Sequence, residues 1–388
     1  MTCSGPRFVR ALRVVVAAAI FGCGCNFYLP DELSHPDEIP VEHGSQPPEC
    51  AVAAVEPLPD CAEPDVSADG ATIGCARLVD GAYEVFVMNA DGTDERCLTC
   101  TGAPPELAGK HKGNPEFHAS GRYIVITAEN ERGSHTAANT PGIGTDNDFW
   151  AIDVDTGTYT RLTRIPERAA LQWPWFSRDG SEFVWSQRYE RGRIWEQGNE
   201  FGRWRIHIAR FDDAAGAPAF TDVETLQPAG DRPYYEPHDF TPDRSKLLMS
   251  ANLEPGSSQA VLDIYTVDLA TGETVNLTNS PWIHDEMAVF SPDGARIALM
   301  SGPFAGFATF GYKADLYLMD ADGENFVRLT RFNDPDDPSY LGGPVQIAQA
   351  VWEPGGRSIV FAIWVHAPEP YAQHRMYRLR FAGACGGG

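Results

Sequence analysis

Five short segments, residues 109–116, 172–175, 234–239, 282–286 and 346–349, hold an unusual share of the chain's His, Trp and Gln. His238 and His284, with Asp285 and Glu286 beside them, offer two imidazoles and carboxylates. That set suits a divalent transition metal, and the carboxylates alone suit Ca²⁺. The metal reading centres on His238, His284 and Glu286. With only two imidazoles and no HxH or HExxH spacing, it competes with a plainer one, in which these side chains satisfy backbone groups and hydrate a channel. His111, Asn114, Glu116, Glu236 and Gln349 add donors and acceptors for a polar ligand. Trp173, Trp282, Tyr234 and Tyr235 are flat aromatics able to stack a sugar ring or grip a peptide.

Such side chains need elements to position them, and a repeat supplies these. Residues 285–330 contain four short apolar runs. Ser291-Pro292-Asp293-Gly294 joins the first two and Asp320-Ala321-Asp322-Gly323 the last two, each a tight-turn sequence. This predicts a four-stranded antiparallel meander, marginal alone because it has two edges and little core. Copies follow the anchor residues Val66, Phe117, Phe176, Phe240, Phe290 and Trp352, and the strand endings read CLT, RLT, NLT and RLT. Four strands every 50–65 residues or so mark a β-propeller, and six copies predict six blades in an all-β fold.

Phe290-Ser291-Pro292-Asp293-Gly294, followed by Met319-Asp320-Ala321-Asp322-Gly323 and Leu329-Thr330, resembles the repeat of TolB-like propellers, the WD-like repeat family of bacterial envelope proteins. The resemblance covers residues 50–385 or so and implies fold more than function. TolB-like proteins carry an α/β domain ahead of the propeller, for which no length is expected here, so a role in the Tol–Pal system does not carry over directly. In propellers the first strand of each blade lines the channel. The loop entering it and the loop between the second and third strands share one face. The five segments above are those entering loops. The longest loops on the same face are 130–147, 189–201 and 302–313, and Phe304, Phe307 and Phe310 would form a lip on the last.

Residues 1–22 read as a signal peptide, with Arg7, Arg10 and Arg13 ahead of an apolar run of eight, too short to span a bilayer. Ile20-Phe21-Gly22-Cys23 resembles a lipobox with Cys23 as the lipidated residue, and Gly24 favours the outer membrane. Residues 23–48 then read as a flexible acidic tether, including His43, and 49–388 as the propeller. The expected location is the periplasmic face of the outer membrane or the cell surface, held by lipid only. Loss of the leader takes the net charge from −24 to −27, which repels nucleic acid and anionic membranes. A monomer is expected.

The chain has nine Cys, as suits an oxidising compartment. The apolar run from Cys50 to Val55 is expected to complete the last blade beside residues 374–381, which brings Cys50 to Cys385 and predicts a disulfide that latches the ring. Cys97-Leu98-Thr99-Cys100 is a CxxC without a second pair or a helix N-terminus, so a structural bridge is expected. Partners for Cys61 and Cys75 are open. GxSxG, GxxxxGK[ST] and a GxGxxG in strand-to-helix context are absent from the sequence, which excludes an α/β-hydrolase domain and the P-loop and dinucleotide classes.

Two functions remain. The preferred one is a non-enzymatic envelope lipoprotein that binds a protein, peptide or glycan at the channel face. No cofactor is required for it, and a divalent cation is compatible with it. The alternative is a metal-assisted lyase or hydrolase acting on an acidic glycan. Propeller-fold oligogalacturonate lyases are similar in using channel His and Gln around a metal, which would fall here on His238, His284 and Gln349.

Overall fold

The hairpin turn at Ser291 shows how the repeat builds itself. Gly294 takes φ +73°, and its N–H reaches Ser291 O at 2.8 Å. The Asp293 carboxylate accepts from Ser291 Oγ at 2.6 Å and from Ala295 N at 3.0 Å, and Ser291 Oγ accepts from Arg296 N at 2.9 Å. One Asp side chain thus satisfies groups that the reversing backbone cannot. The same wiring recurs at Ser67/Asp69, Ser177/Asp179 and Thr241/Asp243.

The computed structural model describes residues 38–193, 196, 198–214, 216–304, 312–365 and 373–387. The leader, Cys23, Phe307 and Phe310 lie outside them. Six four-stranded antiparallel sheets form a six-bladed β-propeller. Blade 1 is β2–β5 (Ala62–Val66, Thr72–Val79, Ala82–Asn89, Arg96–Cys97), and blade 2 is β6–β9 (Lys112–Phe117, Tyr123–Glu129, Asn147–Asp153, Thr158–Arg161). Blade 3 is β10–β13 (Ala170–Phe176, Glu182–Arg191, Gly202–Asp212, Ala219–Leu226). Blade 4 is β14–β17 (Tyr235–Phe240, Lys246–Ala251, Asp263–Asp268, Thr274–Asn276). Blade 5 is β18–β21 (Ile283–Phe290, Arg296–Pro303, Asp315–Asp320, Val327–Arg328).

Blade 6 has β22–β24 (Val345–Trp352, Ser358–Val365, Gln373–Phe381) and is completed by β1 (Val52–Leu58) from the other end of the described chain. The pairing is antiparallel, with Val55 opposite Leu379 and Leu58 opposite Met376. Cys50 and Cys385 are disulfide-bonded across this closure, with Cα atoms 4.6 Å apart. Cys61–Cys75 and Cys97–Cys100 are the other two bridges among the described residues.

The core lies between blades. Leu248 and Ile264 of blade 4 pack on Phe290, Ile297, Leu299 and Met319 of blade 5. Phe149 of blade 2 meets Phe183 and Trp185 of blade 3 edge-on. Alternate residues of each strand face opposite neighbours, so a period-2 apolar pattern buries both faces of a blade.

The expected tether runs to residue 48, but part of it is fixed. His43 N–H donates to Phe326 O at 2.9 Å, and its ring stacks on Phe326 with centroids 6.0 Å apart. Glu42 accepts from Arg328 N at 2.7 Å, and Gln46 bridges Asn325 O and Arg296 Nε. Arg328 lies on β21, the outer strand of blade 5, and Asn325 and Phe326 lead into it. Its unpaired backbone groups make it a docking edge, which composition alone does not show. No helix among the described residues is long and apolar enough to cross a membrane.

Candidate functional site

Each first strand carries an irregularity at one register position. In blades 1, 2, 3 and 5 the pairing slips across Glu63, Asn114, Trp173 and Met287, which take φ of 51°, 43°, 55° and 55°. A side chain other than Gly pays for that backbone, so the bulge must be held by its surroundings.

The densest polar cluster sits where blades 4 and 5 meet. Glu236 and His238 come from β14, and His284 and Glu286 from β18. Alternation along each strand brings both members of a pair to one face. Glu236 and His238 are fully buried and His284 nearly so, while the Glu286 side chain stays 12 % exposed. Neither oxygen of Glu236 meets an N–H or hydroxyl among the described residues. Its carboxyl meets that of Glu286, and two carboxyls bond only when one keeps a proton. Burial and the neighbouring Glu286 charge raise the Glu236 pKa well above the ordinary range. Burial pushes Glu286 up as well, but His284, 3.3 Å away, and then the neighbouring Glu236 carboxyl prevail and bring it down to about 2. Glu236 therefore holds the shared proton and Glu286 the charge.

The histidines are set differently. His238 Nε2 lies 2.6 Å from Ser250 Oγ, and its Nδ1 has no partner among the described residues. Burial lowers its pKa to about 3, which keeps the ring neutral. His284 Nε2 is 3.3 Å from Glu286 Oε2, and its ring stacks on Tyr312 with centroids 3.9 Å apart. Tyr312 arrives from the loop after β19, which the sequence pattern marked only as long. Tyr234 OH donates to Gln172 Oε1 at 2.9 Å and ties this cluster to blade 3.

A second group of acids stands one residue before the anchors of blades 1, 2 and 4: Asp65, Glu116 and Asp239. Asp65 accepts from Phe117 N and Val66 N, both at 2.7 Å, and Asp239 from Phe290 N at 3.0 Å, so each clamps its blade to the next. Burial raises Asp65 to about 7 and Asp239 to about 6. Burial, then the Asp65 and Asp239 charges, raise Glu116 well above the ordinary range. Glu63, which accepts from Asn114 N at 2.9 Å, is raised to about 7 by burial. Sequence reasoning named Glu116 and missed the other three. For Asp65 and Asp239 the signal was an acid directly before the anchor, while Glu63, three residues ahead of Val66, carried none.

The remaining predicted residues scatter. Asp285 points away from its neighbours His284 and Glu286, toward Ser280 Oγ at 2.5 Å. Strand alternation requires this and removes it from the channel set. Tyr235 is a loop anchor, its OH donating to Gly230 O at 2.8 Å and accepting from Ala229 N at 3.1 Å. Gln349 Nε2 donates to Pro64 O at 3.2 Å and ties blade 6 to blade 1. Trp282 is 42 % exposed, and Trp173 is half-buried on its bulge.

His111 stands apart from His238 and His284. Its Nδ1 accepts from Tyr83 N at 3.1 Å, and its ring stacks on His135, centroids 4.2 Å apart and planes 9° apart. Glu129 joins them with ligand atoms all within 4.8 Å of one another. A cation fits poorly. Parallel rings at this spacing cannot both direct in-plane lone pairs at one ion. Glu129 already accepts from Lys110 Nζ at 3.2 Å, His135 N at 2.8 Å and His111 N at 3.3 Å. The set His238, His284 and Glu286 is not among those whose ligand atoms converge to that spacing in the described residues. The His111 cluster does not fit a transition metal as it stands.

No family model matches this sequence, and no curated protein matches it either. Solved structures do resemble it. TolB from Acinetobacter baumannii is 16% identical with a TM-score of 0.50, and the match covers 81% of this chain and 64% of that one. A puromycin hydrolase is 14% identical with a TM-score of 0.50, covering 88% of this chain and 57% of that one. The oligogalacturonate lyase from Vibrio parahaemolyticus is 11% identical with a TM-score of 0.49, covering 82% and 76%. This chain thus spans less than two thirds of that TolB and of the hydrolase. At such identities the likeness shows the propeller fold alone.

Proposed function

We propose that this chain is a non-enzymatic binding protein of the bacterial envelope, exported and acylated at Cys23. Its channel face takes a basic segment of a protein or peptide partner. The buried Glu236–Glu286 pair carries the reading. It presents one negative charge and one exchangeable proton where an ammonium or guanidinium is the natural complement. His238 Nδ1 supplies a further hydrogen-bonding position, and Tyr234, Tyr312 and Trp173 frame the approach with aromatic surface. A strongly acidic chain draws basic partners toward it.

The test is an array of short basic, neutral and acidic peptides probed with the purified exported chain. Basic peptides are expected to be retained, and Glu286→Gln to weaken them by about tenfold or more, the worth of one charged hydrogen bond. Equal retention of all peptides, or a variant that binds as the parent does, refutes the reading.

A further inference from the structure

The three bridges are not alike. Cys50, Cys61, Cys75 and Cys385 are at most 2 % exposed. Cys100 is exposed and Cys97 half-buried, at the open end of β5, the outer strand of blade 1. Their bridge spans a sequence separation of only 3, against 335 for Cys50–Cys385, so it constrains little of the chain.

The segment also holds its shape without the sulfur bond. Phe86 pairs with Cys97, Leu98 N donates to Val85 O at 2.7 Å, and Thr99 Oγ1 accepts from Val85 N at 2.9 Å. Below the sulfurs lies a buried charge pair, Glu84 with Lys112 Nζ at 2.9 Å. The Glu84 carboxylate also accepts from Thr99 Oγ1, and it comes within 4.8 Å of both Sγ atoms. Lys112 is fixed by Leu107 O at 3.0 Å and Lys110 O at 2.7 Å. Cys100 N–H points at Cys97 Sγ from 3.0 Å.

We propose that Cys97–Cys100 is an exchangeable disulfide that oxidises a peptide or protein dithiol, independently of the channel. A substrate thiolate attacks exposed Cys100 Sγ. A mixed disulfide forms, and the electron pair of the old bond leaves on Cys97 Sγ, where the Cys100 N–H stabilises the thiolate. The second substrate thiol loses its proton to solvent and attacks the mixed disulfide as a thiolate, and Cys100 departs as a thiolate. The substrate gains one disulfide, and the chain becomes a dithiol by taking up two electrons and the two protons.

The test is a dithiothreitol titration of the folded, oxidised chain, with alkylation and peptide mapping. Cys97 and Cys100 are expected to open at concentrations at least tenfold below those that open the other bridges, with no change in the thermal melt. Cys97→Ser, offered oxidised glutathione, is expected to trap it on Cys100 at least tenfold faster than Cys100→Ser traps it on Cys97. A dithiol peptide is expected to be oxidised faster than glutathione; preference for glutathione would overturn the substrate class. Reduction of all three bridges together, or equal trapping by the two variants, would overturn the exchange itself.

Discussion

Asp65→Asn separates the channel's electrostatics from its packing. In the unfolded chain Asp65 titrates near its ordinary 3.8. In the fold burial raises it to about 7, although the N–H groups of Phe117 and Val66 oppose the shift. The folded state thus binds this proton more tightly than the unfolded state. Its contribution to stability is fully present below pH 3.8 and is lost as the pH rises through about 7. The interval corresponds to about 4 kcal/mol, and at 7 % exposure solvent screens it little. Asn titrates nowhere. Its one carbonyl oxygen replaces two acceptors, a cost of about 1–2 kcal/mol at every pH.

The variant should therefore be less stable than the parent by about 0.5–1.5 kcal/mol at pH 4 and more stable by about 2–3 kcal/mol at pH 8.5, with the two profiles crossing between. Relief of Glu116, which Asp65 helps to raise, acts in the same direction. Urea unfolding in half-unit pH steps measures both curves. Parallel curves would refute the placement of Asp65 as a strained buried acid.

Three further outcomes follow from single contacts. Replacing Cys50 and Cys385 by Ser should cost about 5 kcal/mol in urea unfolding, because the bridge closes nearly the whole described ring. Gly144→Ala should lower the melting temperature by several degrees, since φ there is +68° and a Cβ would fall 1.7 Å from Leu171 O. Lys112→Met leaves Glu84 without its buried cation and should cost about 3–5 kcal/mol at pH 7 by thermal or urea unfolding.

Much of the architecture was legible because its determinants are local. A Ser-x-Asp-Gly turn wires itself through side chains two residues apart, and an apolar alternation fixes which face of a strand is buried. Six anchors therefore gave six blades. The run after Cys50 was readable as the missing strand of blade 6 because a propeller that lacks its last strand leaves an open edge. The docking of Glu42, His43 and Gln46 was not readable, since polar residues without a period look alike whether solvated or pinned to a strand edge.

The site was legible only as a set of residue types. His238, His284, Glu236 and Glu286 meet as one cluster, whereas Asp285 turns into the blade and His111 joins His135 on the rim. Asp285 was separable by strand alternation, but the His111–His135 stack required the path of a long loop.

The sequence by itself determined the blade count, the closure and the acidic, cysteine-bearing character of the chain, because turns and strand faces depend on near neighbours. Tertiary structure decided which acid keeps a proton, which bridge is exposed and which polar atoms lack a partner. Those depend on desolvation and on charges from separate blades, and both exist only once the ring has closed.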